Sequence, residues 1–435
     1  MTFNDLLSDN GLFCDGDWIE KKDQDVNGLV RLIQLADIGI CEFKDKSNKY
    51  ITEQTAQNLN CTYLKKGDIL IARLPEPLGR ACIFPYDGKF ITAVDVAILR
   101  PANDKVNNQY IMYLINSPQF RKQIKKFESG TTRKRISRKN LDRIDFKIPD
   151  YQDQHRIVTR IEELFSQLDS GVETLKKTKE QLKVYRQAVL KEAFEGRYSS
   201  INSFDITSTK SDYDRIRKEN VVFKDVSGDE NELQIELPDD ALLIRFGNIF
   251  DVEVGATPKR SVPEYWNGNI NWVSSGEVKF QSINYTEEMI TENGLQNSST
   301  NVQPIGTVLL AMIGEGKTRG QVAILNIPAA HNQNTAAILV SKTPCNPKYI
   351  YHYLNLNYEN TRRVGSGNNQ KALNKERVRA IRFPFVSFEK QNIIVKEIES
   401  RLSVCDSIEK TIDTALQEAE ALRQSILKQA FEGEL

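Results

Sequence analysis

The chain contains an internal repeat over a long distance. The stretch LKEAFEG at 190–196 returns as LKQAFEG at 427–433, an offset of 237 residues. The same offset, without a gap, aligns further identical pairs: Gln154 with Gln391, Ile161 with Ile398, and Arg186 with Arg423. Because self-similarity at a fixed offset indicates repeated structural units, the chain is predicted to hold two copies of one architecture.

Each copy ends in a pattern typical of a long coiled-coil helix. Apolar residues recur in alternating steps of four and three, which puts them on one stripe of a helix. In the first copy the stripe consists of Ile157, Ile161, Leu164, Leu168, Leu175, Leu182, Tyr185 and Val189. In the second it consists of Ile394, Ile398, Cys405, Ile408, Ile412, Ala415, Ala419, Leu422 and Ile426, and Arg401 interrupts it. We expect the helices to pair with each other or with a partner, although each alone would also fit an amphipathic helix of a bundle.

The blocks that precede the helices are also related. KKGDILIAR at 65–73 resembles PIGTVLLAM at 304–312, and both blocks alternate short apolar runs with longer helical segments. The predicted class is α/β (α+β): two pseudo-symmetric mixed domains separated by two long helices. The predicted boundaries are 1–150 for the first domain, 151–197 for the first helix, 198–235 for a mobile or loosely packed linker, 236–388 for the second domain and 389–435 for the second helix.

The sequence offers little for catalysis or for metal binding. The three histidines and six cysteines lack metal-ligand spacing, so we expect reduced, mostly buried thiols and no metal site. AMIGEGKTRG at 311–320 matches a loose phosphate-loop pattern, but it runs into the β-rich QVAILNIP instead of a helix. A hairpin is therefore predicted there, and a nucleotide site is disfavoured.

The charge distribution favours a polyanionic partner at one place. The 59 basic and 59 acidic residues cancel, yet residues 121–143 hold ten Lys or Arg against Glu128 and Asp142. Such a cluster suits DNA phosphates, although a solvated surface is the plainer alternative. From this segment the predicted DNA-binding residues are Thr132, Arg133, Lys134, Arg135 and Arg138.

Polar residues in loops between predicted strands are candidates for reading bases. Arg and Lys suit guanine, and Asn and Gln suit adenine, in the major groove of DNA. These candidates are Arg73, Arg80, Lys317, Thr318, Arg319, Asn332, Gln333 and Asn334. Asn-rich turns also occur for backbone reasons alone. Trp18, Trp266 and Trp272 are expected to pack in the interior, and the lack of a long apolar run indicates a cytoplasmic protein.

Taken together, these segments resemble the specificity subunit of type I restriction-modification systems. The resemblance is carried by GLVRLIQLADIG, LKKGDILIARLPEPLGRACIF and GTTRKRIS in the first block, by GATPKRSVPEYWNGNINWVSSGEV and GTVLLAMIGEGKTRGQVAIL in the second, and by the helix end YRQAVLKEAFEGR. It implies a non-catalytic reader of a split, asymmetric double-stranded DNA site. Each domain would read one half-site, and an antiparallel pair of spacer helices would set the gap between them.

The resemblance also implies partners. Two methylation subunits would dock on the chain and transfer a methyl group from S-adenosylmethionine to adenine N6, and restriction subunits would join them. S-adenosylmethionine, ATP and Mg would be bound by those partners, so no cofactor is expected in this chain, and no membrane is involved. The alternatives are a stand-alone enzyme, either an NTPase acting through Lys317 or a DNA methyltransferase, and a coiled-coil adaptor that does not contact DNA.

Overall fold

The fold was analysed in a computed structural model. It describes residues 1–75, 77–131, 133–201, 205–219, 235–314, 316–363, 366–367, 369–370 and 373–434, so Thr132 lies outside the described residues. The chain forms two compact units. Unit 1 comprises Met1–Lys177 with Ile412–Leu435, and unit 2 comprises Thr178–Thr411. Each long helix therefore contributes one part to each unit.

Unit 1 is a mixed α/β structure. Its elements are β1 (Leu12–Asp15), β2 (Val30–Ile33), β3 (Lys49–Ile51), α1 (Glu53–Asn58), β4 (Ile69–Ala72), β5 (Ala81–Ile83), β6 (Phe90–Thr92), β7 (Val96–Arg100), α2 (Asn108–Asn116), α3 (Pro118–Lys126), α4 (Arg138–Leu141) and the start of α5 (Tyr151–Phe194). The strands form sheets in the orders β1-β7-β4-β5 and β3-β2-β6. β4 is buried at every position, which explains its continuous apolar run, and α2 and α3 cover one face of its sheet.

Unit 2 repeats this plan with additions. Its elements are the end of α5, α6 (Ile206–Glu219), β8 (Leu242–Arg245), β9 (Val252–Val254), β10 (Trp266–Val273), β11 (Gln281–Ile283), β12 (Glu288–Ile290), α7 (Glu292–Gln296), β13 (Val308–Ala311), β14 (Val322–Leu325), β15 (Ala330–His331), β16 (Thr335–Ile338), α8 (Pro347–Leu356), α9 (Tyr358–Arg363), β17 (Ser366–Gly367), β18 (Asn369–Gln370), α10 (Lys375–Ala380), β19 (Arg382–Phe385) and the start of α11 (Phe388–Glu432). The sheet orders are β11-β14-β13-β16-β9, β12-β10-β15, β19-β8 and β17-β18.

The central sheets of the two units share one topology. β1-β7-β4-β5 in unit 1 matches β9-β16-β13-β14 in unit 2, where β11 adds a further strand at the edge. In both sheets the middle strand pairs antiparallel with its two neighbours. The predicted mixed α/β class, with a duplicated block, is therefore confirmed.

The long helices run antiparallel within each unit. In unit 2, Lys179 pairs with Glu409 at 3.6 Å and Arg186 pairs with Asp406 at 2.7 Å. Residue numbers increase along α5 where they decrease along α11, so the two helices are antiparallel. In unit 1, Asp169 forms an ion pair with Arg423. Most residues of the predicted stripe are buried or half-buried, but Tyr185, Ile408 and Leu422 are 47%, 40% and 50% exposed.

Arg401, which interrupts the stripe, is held by its own contacts in unit 2. Its Nε donates to Glu397 Oε1 at 2.6 Å, and its guanidinium lies 4.0 Å from the ring centre of Tyr198. These two contacts hold the charged end of Arg401, so its aliphatic part can pack at a position where the stripe would otherwise have an apolar residue.

Part of the segment expected to be a loosely packed linker is ordered. Ile206–Glu219 forms α6, and Thr209 and Ile216 are fully buried. Thr209 Oγ1 accepts the backbone N–H of Ser387 at 3.1 Å, just before α11 begins. This part of the segment therefore packs against unit 2, where Tyr213 also lies 5.9 Å from Phe385 between ring centres and Asp212 Oδ2 accepts the N–H of Phe388 at 2.9 Å. Residues 202–204 and 220–234 of the predicted linker lie outside the described residues.

Candidate nucleic-acid interface

Three chain segments meet beside the central sheet of unit 1. They are the end of β1, the β4–β5 hairpin loop, and the loop between β6 and β7. The backbone N–H of Arg73 donates to Asp95 O at 2.9 Å, and the N–H of Asp17 donates to Thr92 O at 2.8 Å. These bonds fix the three segments to one another, so side chains projecting from them lie close together. The three segments are called the three-loop site below.

Unit 2 builds the same arrangement with the same bonds. The N–H of Met312 donates to Asn334 O at 2.8 Å, and the N–H of Ala256 donates to His331 O at 3.0 Å. Met312 therefore corresponds to Arg73, and Asn334 corresponds to Asp95. The hairpin loop closes between Gly79 N and Ala72 O in unit 1 and between Gly320 N and Ala311 O in unit 2, which makes the second loop two residues longer.

The loop at 311–320 has the geometry of a hairpin and not of a phosphate loop. β13 and β14 pair antiparallel on either side of the loop, so the predicted hairpin is confirmed. Among the described residues this loop leads into β14, whereas a phosphate loop leads into a helix N-terminus that receives the phosphate. Gly314, Gly316 and Gly320 have φ values of 150°, 92° and 85°, which shows that the glycines serve a turn.

In unit 1, Asp15 brings two of the predicted residues together. Its carboxylate lies 3.1 Å from Arg73 Nη1 and 3.7 Å from Arg138 Nε. Arg73 also donates from Nη2 to Val94 O at 2.5 Å, and Arg138 from Nη1 to Phe13 O at 3.2 Å. Both guanidiniums are thus oriented at the edge of the three-loop site and keep part of their surface in solvent.

The neighbouring basic segment is open to solvent. Arg133, Lys134 and Arg135 are all exposed, and Lys134 pairs with Glu128 at 2.9 Å. The N–H of Ile136 donates to Arg73 O at 3.1 Å, which ties this segment to the hairpin loop. The structure therefore joins the basic cluster and the loop candidates into one surface of unit 1.

Arg80 does not fit its predicted role. Its side chain is buried, and its guanidinium donates to four backbone carbonyls, those of Leu35, Ile38, Leu74 and Pro77, at 2.6 to 3.2 Å. Burial lowers the pKa of this guanidinium. Arg80 is an anchor of the loop and is not available to a base.

In unit 2 the predicted residues divide in a similar way. Lys317 and Gln333 are exposed, whereas Thr318, Arg319 and Asn334 are half-buried. Asn332 is buried, and its Oδ1 accepts the N–H of Asn334 at 3.0 Å, so its role is to shape the turn. The alternative that the Asn-rich turn serves the backbone applies to this residue.

Two residues near the site were missed by the sequence. Trp18 was expected to pack, but it is 70% exposed and directly follows Asp17, which bridges to Ala93. Burial raises the pKa of Asp17 to about 6. Thr257 stands at the corresponding place in unit 2, and its hydroxyl donates to Gln333 Oε1 at 2.6 Å. Their position two residues after a strand-end glycine, Gly16 or Gly255, was the one available signal.

The other two tryptophans pack as expected. Trp272 is buried, and Trp266 is half-buried against it at 5.2 Å between ring centres. Arg260 lies 3.8 Å from the ring centre of Trp266 and is paired with Glu288 at 2.8 Å. Within the described part of the chain there is no group of three metal-ligating side chains, and no helix there has the length and apolarity to cross a membrane.

Comparison with known proteins gives the class of this chain. A family model for the type I restriction modification DNA specificity domain matches residues 16–184 and again residues 238–418. The two matches cover most of the chain, one in each repeat. The chain therefore belongs to the family of type I restriction-modification DNA specificity domains.

The chain is similar to specificity subunits of type I restriction enzymes. The chain is 26% identical over 347 residues to that of the type I restriction enzyme EcoBI of Escherichia coli, which covers 76% of this chain and 66% of that subunit. It is 24% identical over 160 residues to that of EcoR124I/EcoR124II, also from Escherichia coli, which covers 35% of this chain and 39% of that subunit. The aligned regions thus span less than two thirds of these relatives.

Solved structures share the fold. The HsdS subunit from Thermoanaerobacter tengcongensis superposes with a TM-score of 0.56 at 14% identity, covering 99% of this chain and 98% of that one. A chain from a structure concerned with complex assembly and conformational transition of the type I R-M system gives a TM-score of 0.66 at 14% identity and covers 99% of both chains. At such identities these likenesses describe the fold alone.

Proposed function

We propose that this chain is the DNA-recognition subunit of a type I restriction-modification complex in the cytoplasm. Each unit reads one half of a bipartite, asymmetric site in double-stranded DNA. The observation that carries the proposal is the three-loop site, which is built twice by the same backbone hydrogen bonds and carries unlike side chains. Equal frames with unlike reading residues suit two unlike half-sites.

The long helices fit the role of a spacer. α5 and α11 each have a part in both units and pair antiparallel within each, so their length sets a separation, as half-site spacing does in dimeric DNA readers. Two methylation subunits dock on this frame and direct adenine N6 methylation, and restriction subunits complete the complex. The chain itself is non-catalytic, and S-adenosylmethionine, ATP and Mg bind to the partners.

The basic surface of unit 1 supports the DNA partner. Arg133, Lys134 and Arg135 project from the segment that Ile136 ties to the hairpin loop. Phosphate contacts of this type supply much of the affinity of a protein for DNA and fix its register. A DNA partner accounts for a basic surface that is joined to loops with polar side chains, which the adaptor alternative leaves unexplained.

Mapping N6-methyladenine across the genome of a host that carries this chain with its methylation partner tests the proposal. The expected motif has two short half-sites separated by a gap of fixed length. The purified chain alone should bind DNA in a salt-sensitive way without turning over ATP or S-adenosylmethionine. A motif without a gap, or turnover by the isolated chain, would contradict the proposal.

A further inference from the structure

The loop between β15 and β16 in unit 2 is held by internal hydrogen bonds and exposes the side chain of Gln333. Asn332 Oδ1 accepts the N–H of Asn334 at 3.0 Å, and Thr335 Oγ1 donates to Asn332 O at 2.9 Å. The fully buried His331 contacts Thr335 Oγ1 at 2.7 Å through Nδ1. Gln333 stands at the tip of this turn and is exposed.

A neighbouring hydroxyl fixes the amide of Gln333. Thr257 Oγ1 donates to Gln333 Oε1 at 2.6 Å. Thr257 is itself placed by the close approach of Gly255 to this loop, where an added Cβ would lie 1.9 Å from His331 O. A glutamine side chain loses rotamer freedom when it is ordered. Here part of that order exists before any ligand arrives, as in a preorganised binding site.

The remaining atoms of the amide are available for recognition. Within the described residues, no hydrogen-bond partner is found for Gln333 Nε2, and Oε1 retains a second lone pair. A donor next to an acceptor matches N7 and N6 of adenine in the major groove. Guanine presents two acceptors at the same edge, so Oε1 would face O6 without a hydrogen between them.

We infer that Gln333, positioned by Thr257, reads an adenine in the half-site bound by unit 2. This inference rests on the proposed function and names a specificity-determining residue within it. Thr257 is a positioning residue, because it acts on the base only through the Gln333 amide.

Unit 1 has a different chemistry at the matched positions. The backbone register places Val94 where unit 2 has Gln333, and Trp18 where unit 2 has Thr257. Neither side chain offers a donor and acceptor pair to a base edge. The contact is therefore confined to one half of the bipartite site.

Base-analogue substitution in the assembled complex tests the inference. After the wild-type motif has been mapped, 7-deazaadenine, which lacks the N7 acceptor, replaces each adenine of both half-sites in turn, and duplex binding is measured by competition. We expect one position at which the analogue weakens wild-type binding about tenfold, because a bidentate base contact gives about 1–3 kcal/mol of discrimination. At that position Gln333→Ala should bind the normal and the analogue duplex equally.

Further variants separate positioning from folding. Thr257→Val should lose most of the sensitivity at the same position, and Thr257→Ser, which keeps the hydroxyl, should restore it. Gln296→Ala, at an exposed glutamine of α7 in the same unit, should keep full wild-type sensitivity. A wild-type complex without a bipartite site would overturn the proposed function together with this inference. A bipartite site at which Gln333→Ala keeps the wild-type sensitivity to every analogue would overturn the inference alone.

Discussion

Units 1 and 2 share their frame and differ in what the frame carries. In unit 1, Gln154 Oε1 accepts the N–H of Asn107 at 2.9 Å, and in unit 2, Gln391 Oε1 accepts the N–H of Asn346 at 2.9 Å. Both glutamines are buried near the start of a long helix and also donate from Nε2 to a carbonyl just before it. The repeated glutamines therefore join each helix to its domain, whereas the repeated Arg186 and Arg423 pair the two helices with each other.

The difference lies in the loops and in the charge beside them. Arg73 in unit 1 is matched by Met312 in unit 2, and Asp95 by Asn334. The basic stretch GTTRKRIS of unit 1 corresponds to GNNQKALN in the sequence of unit 2. A duplicated frame can thus hold two readers with separate preferences, because exposed loop side chains such as Gln333 contribute little to the packing that maintains the frame, whereas Met312 is buried in the core of unit 2.

Replacing an acidic residue with alanine near the start of the long helix should destabilise the two units to different extents. Lys390 Nζ lies 2.6 Å from both carboxylate oxygens of Asp240, and both side chains are buried. The repeat aligns Lys390 with Asp153 in unit 1, which forms a surface ion pair with Arg156 at 3.3 Å. Asp240→Ala removes the carboxylate that balances a buried ammonium, so it should destabilise unit 2 by about 3–5 kcal/mol. Asp153→Ala should cost less than about 1 kcal/mol.

The free energy of unfolding of each unit, measured by hydrogen exchange across a urea series, would test both variants. Equal losses of stability for the two would show that the buried pair does not distinguish the units.

Acid should destabilise unit 2 through two buried histidines, and one carboxyl of unit 1 contributes in the opposite direction. Burial lowers the pKa of His331 and His352 in unit 2 to about 4, from about 6.5 in an unfolded chain. Between these values the unfolded chain binds protons that the folded unit excludes, so stability present above pH 6.5 is lost as the pH falls. From pH 7 to pH 5 the loss is about 2 kcal/mol for each histidine. In unit 1 the raised pKa of Asp17 acts the other way, because its protonated form is favoured in the folded state.

Hydrogen exchange at pH 7 and pH 5 would compare the units directly. His352→Leu should remove about half of the acid sensitivity of unit 2, since His331 remains. An unchanged acid sensitivity in this variant would rule out the contribution assigned to His352.

The contrast between frame and loops also explains what the sequence could predict. The hairpin at 311–320 and the long helices follow from local periodicity and turn residues, which are strong signals because they lie close together in the sequence. The fate of Arg80 depends on the carbonyls of Leu35 and Ile38, which are remote in sequence, so a basic loop residue was taken for a DNA contact. Similarly, Trp18 was expected to pack because composition does not show whether a neighbour covers it. Corresponding loop positions of the two units, such as Val94 and Gln333, could be matched only from the backbone hydrogen bonds of the structure.

Removing the basic side chains of unit 1 should weaken DNA binding without changing the recognised sequence. In the combined variant Arg133→Ala, Lys134→Ala, Arg135→Ala, each lost phosphate contact makes the negative slope of log K against log salt shallower by about 0.9, and so by about 3 in total. Binding measured across a salt series, with matched and mismatched duplexes, would check this. Lys210→Ala, at an exposed lysine of α6 in unit 2, is the control and should keep the wild-type slope. A changed motif in the triple variant would mean that these residues read bases instead.

The smallest expected effect is a change in the fluorescence of Trp18, which lies on the surface where the two units differ most. Trp18 is 70% exposed, whereas Trp272 is 1% exposed and Trp266 is half-buried, so iodide should quench Trp18 first. Trp18→Phe should remove most of the quenchable fluorescence and leave the stability of unit 1 nearly unchanged, because surface substitutions usually fall within about 0.5 kcal/mol. If the β1 end of unit 1 faces the half-site, adding the matched duplex to the complex should protect Trp18 from iodide. Quenching that DNA leaves unaltered would place the reading surface of unit 1 on Arg73 and its neighbours, away from Trp18.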